Sequence, residues 1–380
     1  MLAWAREMAG FDLQAAAERL KIQVNRLRAI EGLEQEAEIS ASLFDKMVRL
    51  YRQPPLVFYL SSPPQPEGYE TAFRKVYGPH PRRDSGVIAA LVRNAWARQG
   101  ILKASLESEE EARIVPFVGS LSLSDGLEGA VDALTEVLGG KATMHAYRSS
   151  RNRNEAFQLV RSEVENSGAF VVLKGDLGNH YSNIPVEEFR GLAISDPIAP
   201  FILVNPHDFP PARTFTLLHE IVHLLLGRSS ISKDVYGDTG VEKFCNQAAS
   251  NCLLPESELY RFDLSDSADI KEQSKSVRQF AAGCNLSGTM VAYRLFLSGR
   301  IKKSHFAALR DQFRSGQQAG KSAPVPGGSP TYYTVRRSRI GKSLLRVTRR
   351  MLELEAISTT KAARILDVRP INVGKVLDSV

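Results

Sequence analysis

Leu217-Leu218-His219-Glu220-Ile221-Val222-His223-Leu224-Leu225-Leu226 is the stretch that decides how this chain of 380 residues is read. On a helix, residues four apart project from one face, so the two imidazoles can hold one metal ion with Glu220 beside them. Two histidines leave zinc short of four ligands; a catalytic site takes a third from the protein and keeps the fourth place for water. Zinc brings the pKa of such a water to about 7, where a neighbouring carboxylate can take its proton and later pass it to a leaving amine. Glu220 is therefore the candidate general base, with His219 and His223 as candidate zinc ligands. The competing reading is a buried helix whose histidines only hydrogen-bond within the core.

The flanks favour the metal site. Phe201-Ile202-Leu203-Val204 reads as a buried strand, Pro210-Pro211 as a break, and Thr214 or Thr216 as the cap of a helix that Gly227 ends. A metzincin would need a glycine and a further histidine where Leu226 and Ser229 stand, so the third ligand is sought on another helix. Glu242 opens an amphipathic stretch, Val241 to Leu254, that stops at Pro255. Thr239-Gly240-Val241-Glu242 is equally a capping box, in which Glu242 would only satisfy a backbone amide. Asp234, Asp238, Glu256 and Glu258 are the reserve ligands. Asn246, one turn after Glu242, can orient a ligand or be a satisfied polar residue beneath the site. His180 and His207 read as loop residues without an assigned catalytic part.

Arg213 to Leu226, followed by Glu242-Lys243-Phe244-Cys245-Asn246-Gln247-Ala248-Ala249 and Leu253-Leu254-Pro255, resembles the ImmA/IrrE metallopeptidase family. That pattern is a Thr-x-x-His-Glu-x-x-His helix and a second helix of the form Glu-x-x-x-Asn. The resemblance implies zinc held by His219, His223 and Glu242, with Glu220 as catalytic base. Cys245 replaces the usual alanine and Ala248 a common phenylalanine, which alters packing behind the site but no ligand position. The resemblance covers roughly residues 140 to 300, and 1 to 60 more loosely.

At the amino end, Met1 to Ala9 is helix-like, Asp12 caps a helix through Leu20, and a further helix runs from Gln23 to Ile30. Two short helices with a tight turn have helix-turn-helix rhythm, in which Gln23, Asn25, Arg26 and Arg28 would face a DNA major groove. The segment resembles an XRE-type repressor domain, with Ile30-Glu31-Gly32 at its exit and a helix from Ala41 to Tyr51 closing the bundle. A bundle that binds protein, or no longer binds DNA, is the alternative.

The whole reads as an α+β chain. Residues 1–62 form the all-helical, helix-turn-helix domain, and 63–139 a Pro-rich linker and helical connector. Residues 140–314 form a zincin-like core, whose strands at 169–174, 189–194 and 201–204 pack on the His-Glu helix. Residues 315–331, rich in Gly, Ser, Pro and Gln, read as a flexible linker, and 332–380 as a basic helical region. There Arg336, Arg337, Arg339, Lys342, Arg346, Arg349 and Arg350 run without an acid, as for phosphate contacts or a solvated face.

Net charge is +7, hydrophobic residues make up 43% of the chain, and three cysteines form neither a disulfide framework nor a metal pattern. No apolar run of signal or membrane-spanning length is present, so the expected setting is cytoplasmic, away from the membrane. Two function classes follow. One is a zinc endopeptidase that, by the resemblance, cleaves a helix-turn-helix transcriptional repressor and so releases stress, mobile-element or toxin-antitoxin genes. The other is a DNA-binding regulator with a non-catalytic metal site that acts by binding alone.

Overall fold

The computed structural model describes residues 1–32, 38–63, 83–178, 182–232, 240–264, 269–319 and 331–378. Four short helices come first: α1 (Leu2–Met8), α2 (Leu13–Leu20), α3 (Val24–Gly32) and α4 (Ala41–Tyr51). Asp12 accepts a hydrogen bond from the Ala15 amide at 2.7 Å and so caps α2, as its sequence position predicts. Lys21, at φ 59°, turns the chain from α2 towards α3. Leu20, Leu27, Ile30, Met47 and Tyr51 close the small core, and an ion pair of 2.9 Å from Arg6 to Glu31 joins α1 to α3 with both side chains nearly buried. The 64–82 part of the expected linker lies outside the described residues.

Helix α5 (Arg83–Ser108) meets this bundle closely: a Cβ on Gly86 would lie 2.6 Å from the carbonyl carbon of Ala9. Helices α6 (Gly126–Val137), α7 (Lys141–Ser149) and α8 (Arg153–Asn166) then lead into strands β1 (Phe170–Leu173), β2 (Gly191–Ile194) and β3 (Phe201–Val204). Helix α9 (Pro210–Leu225) carries the two histidines, and β4 (Ser230–Ser232) follows it. Helices α10 (Gly240–Leu253), α11 (Glu256–Leu259), α12 (Ile270–Gly283), α13 (Gly288–Leu297) and α14 (Lys303–Ala319) come next. Helices α15 (Tyr332–Ile340), α16 (Lys342–Glu353), α17 (Thr359–Leu366) and α18 (Val373–Leu377) complete the described chain.

The four strands form one sheet in the order β1-β3-β2-β4, with β1 parallel to β3 and the other pairs antiparallel. Every strand residue is buried, because both faces are covered; this is why β1, β2 and β3 read as continuous apolar runs rather than as alternations. Alternate side chains serve two cores. Val171, Leu173, Ala193, Ile202 and Val204 face the core built around α9, with α6, α8 and α10 contributing. Phe170, Val172, Leu192, Ile194, Phe201 and Leu203 face a second core shared by α5 and the carboxyl-terminal helices, including Leu344, Met351, Ile365 and Val376.

Three local differences from the sequence reading have simple causes. Helix α9 begins at Pro210, with both prolines in its first turn, instead of being capped by Thr214 or Thr216. Proline's missing amide costs nothing there, since that amide has no intrahelical partner in any case. The three-residue β4 was not anticipated, being too short for a periodic signal. Helix α14 runs to Ala319, into the expected linker, where Gln317-Gln318-Ala319 are good helix formers; residues 320–330 lie outside the described residues.

Candidate metal centre

Helix α9 is buried along its length from Thr214 to Leu225 and is pressed between the sheet and α8, α6 and α10. Its i, i+4 spacing brings His219 Nε2 and His223 Nε2 to 3.1 Å. Helix α10 delivers Glu242 in its first turn, with Oε2 3.3 Å from His219 Nε2 and 3.5 Å from His223 Nε2. Ligand atoms on a tetrahedral zinc with bonds of about 2.0–2.1 Å are spaced by ~3.3 Å, so this triangle has the size of one zinc face. Among the described residues, His219, His223 and Glu242 are the cluster of metal-binding type. The histidines are nearly fully buried and Glu242 is partly exposed.

Of the reserve ligands, Glu258 pairs with Arg261 at 3.1 Å and Glu256 lies beside it on α11, so neither joins the histidines. Asp234, Asp238 and Thr239 lie outside the described residues, as does His180. His207 is half-buried, and its backbone amide donates to Asn205 Oδ1 at 3.0 Å.

Glu220 is wholly buried beside the triangle. Its Oε2 accepts a hydrogen bond from Ser230 Oγ at 3.2 Å. Burial pushes its carboxyl up to about 7, against the downward pull of His219 and of the Ser232 and Ser230 hydroxyls, with Glu242 adding to the rise. A carboxylate with this affinity for protons can take and return one near neutral pH. Both serines come from β4, where the alternation Ser230-Ile231-Ser232 turns Ile231 into the second core and the hydroxyls to the α9 face. Across the ladder, Gly191 pairs with Ser232, and a Cβ at that glycine would overlap the Glu220 carboxylate and lie 2.7 Å from Thr216 Cγ2. Gly191, Ser230 and Ser232 escaped the sequence reading; their signal lies in strand register, which the residues alone do not reveal.

Residues 176–296 match the Peptidase_M78 family model, described as the IrrE N-terminal-like domain. The matched Peptidase_M78 segment contains β2 to β4, α9, α10 and most of α13, and so encloses the whole triangle together with Glu220. It supports a metallopeptidase of the ImmA/IrrE type, for which a metal and a protein substrate follow. Neither the curated proteins nor the solved structures contain a significant match to the chain.

Asn246 lies one turn after Glu242 in this segment, fully buried, and its amide makes no hydrogen bond to a described residue. Gln23, Asn25, Arg26 and Arg28 are all exposed on or next to α3, while Leu27 and Ile30 face the bundle core. The basic carboxyl-terminal tract is largely occupied within the molecule. Arg336 pairs with Asp367, Arg339 with Asp176, Arg349 with Glu353 and Arg350 with Glu111. No described helix is long and apolar enough to cross a membrane.

Proposed function

We propose that the chain is a zinc-dependent endopeptidase of ImmA/IrrE type, with His219, His223 and Glu242 as zinc ligands and Glu220 as catalytic base. The observation that carries this reading is the triangle of two imidazole nitrogens and one carboxylate oxygen, 3.1 to 3.5 Å on a side, with a buried carboxyl beside it. Zinc held there supplies Lewis acidity to a scissile carbonyl and to water. Glu220 takes the water's proton and delivers it to the departing amine. Ser230, donating to Oε2, steadies the carboxylate in its ionised form, and Gly191 leaves it room. The orphaned amide of Asn246 supports its assignment as the residue that orients the ligand set once zinc is bound.

The substrate we assign is a helix-turn-helix repressor, whose cleavage releases stress, mobile-element or toxin-antitoxin genes. The test is zinc content together with cleavage of a candidate repressor, comparing wild type with Glu220→Gln. One zinc in both proteins and cleavage by wild type alone is the expected result; intact repressor with zinc-loaded wild type would overturn it.

A second reading, a regulator that acts by binding DNA, is favoured by one observation: the exposed row of Gln23, Asn25, Arg26 and Arg28 at α3. Such binding would weaken steeply with salt, and alanine at Arg26 and Arg28 would abolish it while leaving zinc content unchanged.

A further inference from the structure

Away from the triangle, a cavity of about 890 Å³ lies between α5, the chain after β1 and the carboxyl-terminal helices α15 and α17. None of His219, Glu220, His223 and Glu242 lines it. Five arginines do, Arg98, Arg336, Arg339, Arg364 and Arg369, against two aspartates, Asp176 and Asp367. Both carboxylates are already engaged. Asp176 accepts from Arg339 at 3.2 Å, and Asp367 is shared by Lys174 and by Arg336, the latter at 3.0 Å. Arg98 and Lys174 are almost wholly buried.

The charge is therefore unbalanced where imbalance is costly. Taking a cation out of water costs several kcal/mol unless a counter-charge meets it. Here Arg98, Lys174 and Arg336 surround the one carboxylate of Asp367; among the described residues Arg98 donates from Nε to the Ile365 carbonyl at 2.9 Å and lies over the Phe201 ring, while its Nη2 makes no hydrogen bond. Arg364 and Arg369 are exposed at the cavity and form no ion pair among the described residues. A cluster with this excess of guanidinium groups calls for an anion of more than one charge, and guanidinium forks match the oxygens of phosphate. The volume falls in the range of sites for small organic ligands, roughly 300–1,000 Å³, and is far larger than a single ion needs. Tyr332, more than half exposed, Val335 and Ile101 add an apolar wall on which a ring can rest.

We propose that this cavity binds a small phosphorylated ligand of nucleotide size, gripped by Arg336, Arg339, Arg364 and Arg369. Bound there, the ligand bridges α15 and α17 to the chain that follows β1, and so fastens the carboxyl-terminal helices to the sheet that carries the metal centre. This inference is independent of the proposed peptidase activity.

The experiment is calorimetric titration and thermal unfolding of the full chain with sodium pyrophosphate and with ADP, in wild type and in the double variant Arg364→Ala, Arg369→Ala. Both changed side chains are exposed, so the variant keeps its fold, which circular dichroism checks. Saturable binding of either probe at one per chain, a higher Tm, and at least tenfold weaker binding in the double variant are expected. Equal affinity for the two probes would locate recognition in the phosphates, and tighter ADP binding would add the ring. Three outcomes would overturn the proposal. These are no binding of either probe at millimolar concentration; binding that survives the double variant but disappears with Glu242→Ala, which would place the anion at the metal centre; and binding of duplex DNA alone, lost in the double variant.

Discussion

Gly191 and Glu220 share one space: the glycine has no side chain because the buried carboxylate occupies the place where a Cβ would be. Because β2 pairs with both β3 and β4, the backbone at Gly191 is held on two sides and cannot retreat. Gly191→Ala must therefore move Glu220. A displacement of about 1 Å in a catalytic group can cost roughly 100-fold in rate. The expected result is a drop in kcat of that order with zinc content near one per chain, read by metal analysis beside a peptidase assay. Full activity in the alanine variant would remove Glu220 from the chemistry.

Glu242 is the proposed ligand that comes from a second helix, and its removal separates ligand from helix cap. Loss of a partner beyond the ligands already costs about 10–100-fold in metal affinity, so loss of a ligand should cost more than roughly 100-fold. Glu242→Ala should thus release zinc to a competing chelator at concentrations that wild type resists. A residue acting only as a cap would lower the Tm by a few degrees and leave zinc affinity alone.

The parts of this site that were legible in the sequence are those fixed by local geometry. His219, Glu220 and His223 stand at helical spacing within one apolar run, and the helix around them follows from that run. Glu242 was readable as a carboxylate opening the next helix, but the 3.3 and 3.5 Å approaches to the imidazoles, on which its proposed ligand role rests, come only from the packed chain. Ser230, Ser232 and Gly191 were illegible because their meaning arises from the pairing of β2 with β4, a register that local pattern does not encode. The carboxyl-terminal helices illustrate the same limit. Leu344, Leu345 and Met351 mark an apolar stripe, yet a stripe that docks on its own sheet reads like one that awaits a partner.

That docking rests on a buried ion pair. Arg161 and Glu165, 3.3 Å apart on α8 and each almost fully buried, meet the chain between α15 and α16. Arg161 donates to the carbonyls of Ser338, Arg339 and Val171, and Glu165 Oε2 accepts from the amides of Lys342 and Ser343 at the start of α16. Removing one member of such a pair leaves an uncompensated buried charge, at a cost of ~3–5 kcal/mol. Glu165→Ala should lose stability of that order in urea unfolding, and protease should then cut first within residues 331–378. A loss below about 1 kcal/mol, the value of an exposed pair, would show that the helices hold without it.

Asp367 gives the docking a pH dependence. Burial pushes its carboxyl up, but Lys174, Arg98 and Arg336 together outweigh burial and hold it below the ordinary aspartate range. A carboxyl whose folded pKa lies below its unfolded value contributes stability that is complete above the unfolded value, near 3.9, and is lost as pH falls through the folded one. Wild type should therefore lose stability on acidification below about pH 4, where Asp367→Asn, already without the charge, loses less. Asparagine suits the test because residue 367 has φ 55°, a left-handed conformation that asparagine tolerates. The measurement is Tm against pH for both proteins. Parallel curves would mean that the charge of Asp367, beside Lys174, Arg98 and Arg336, does not hold these helices in place.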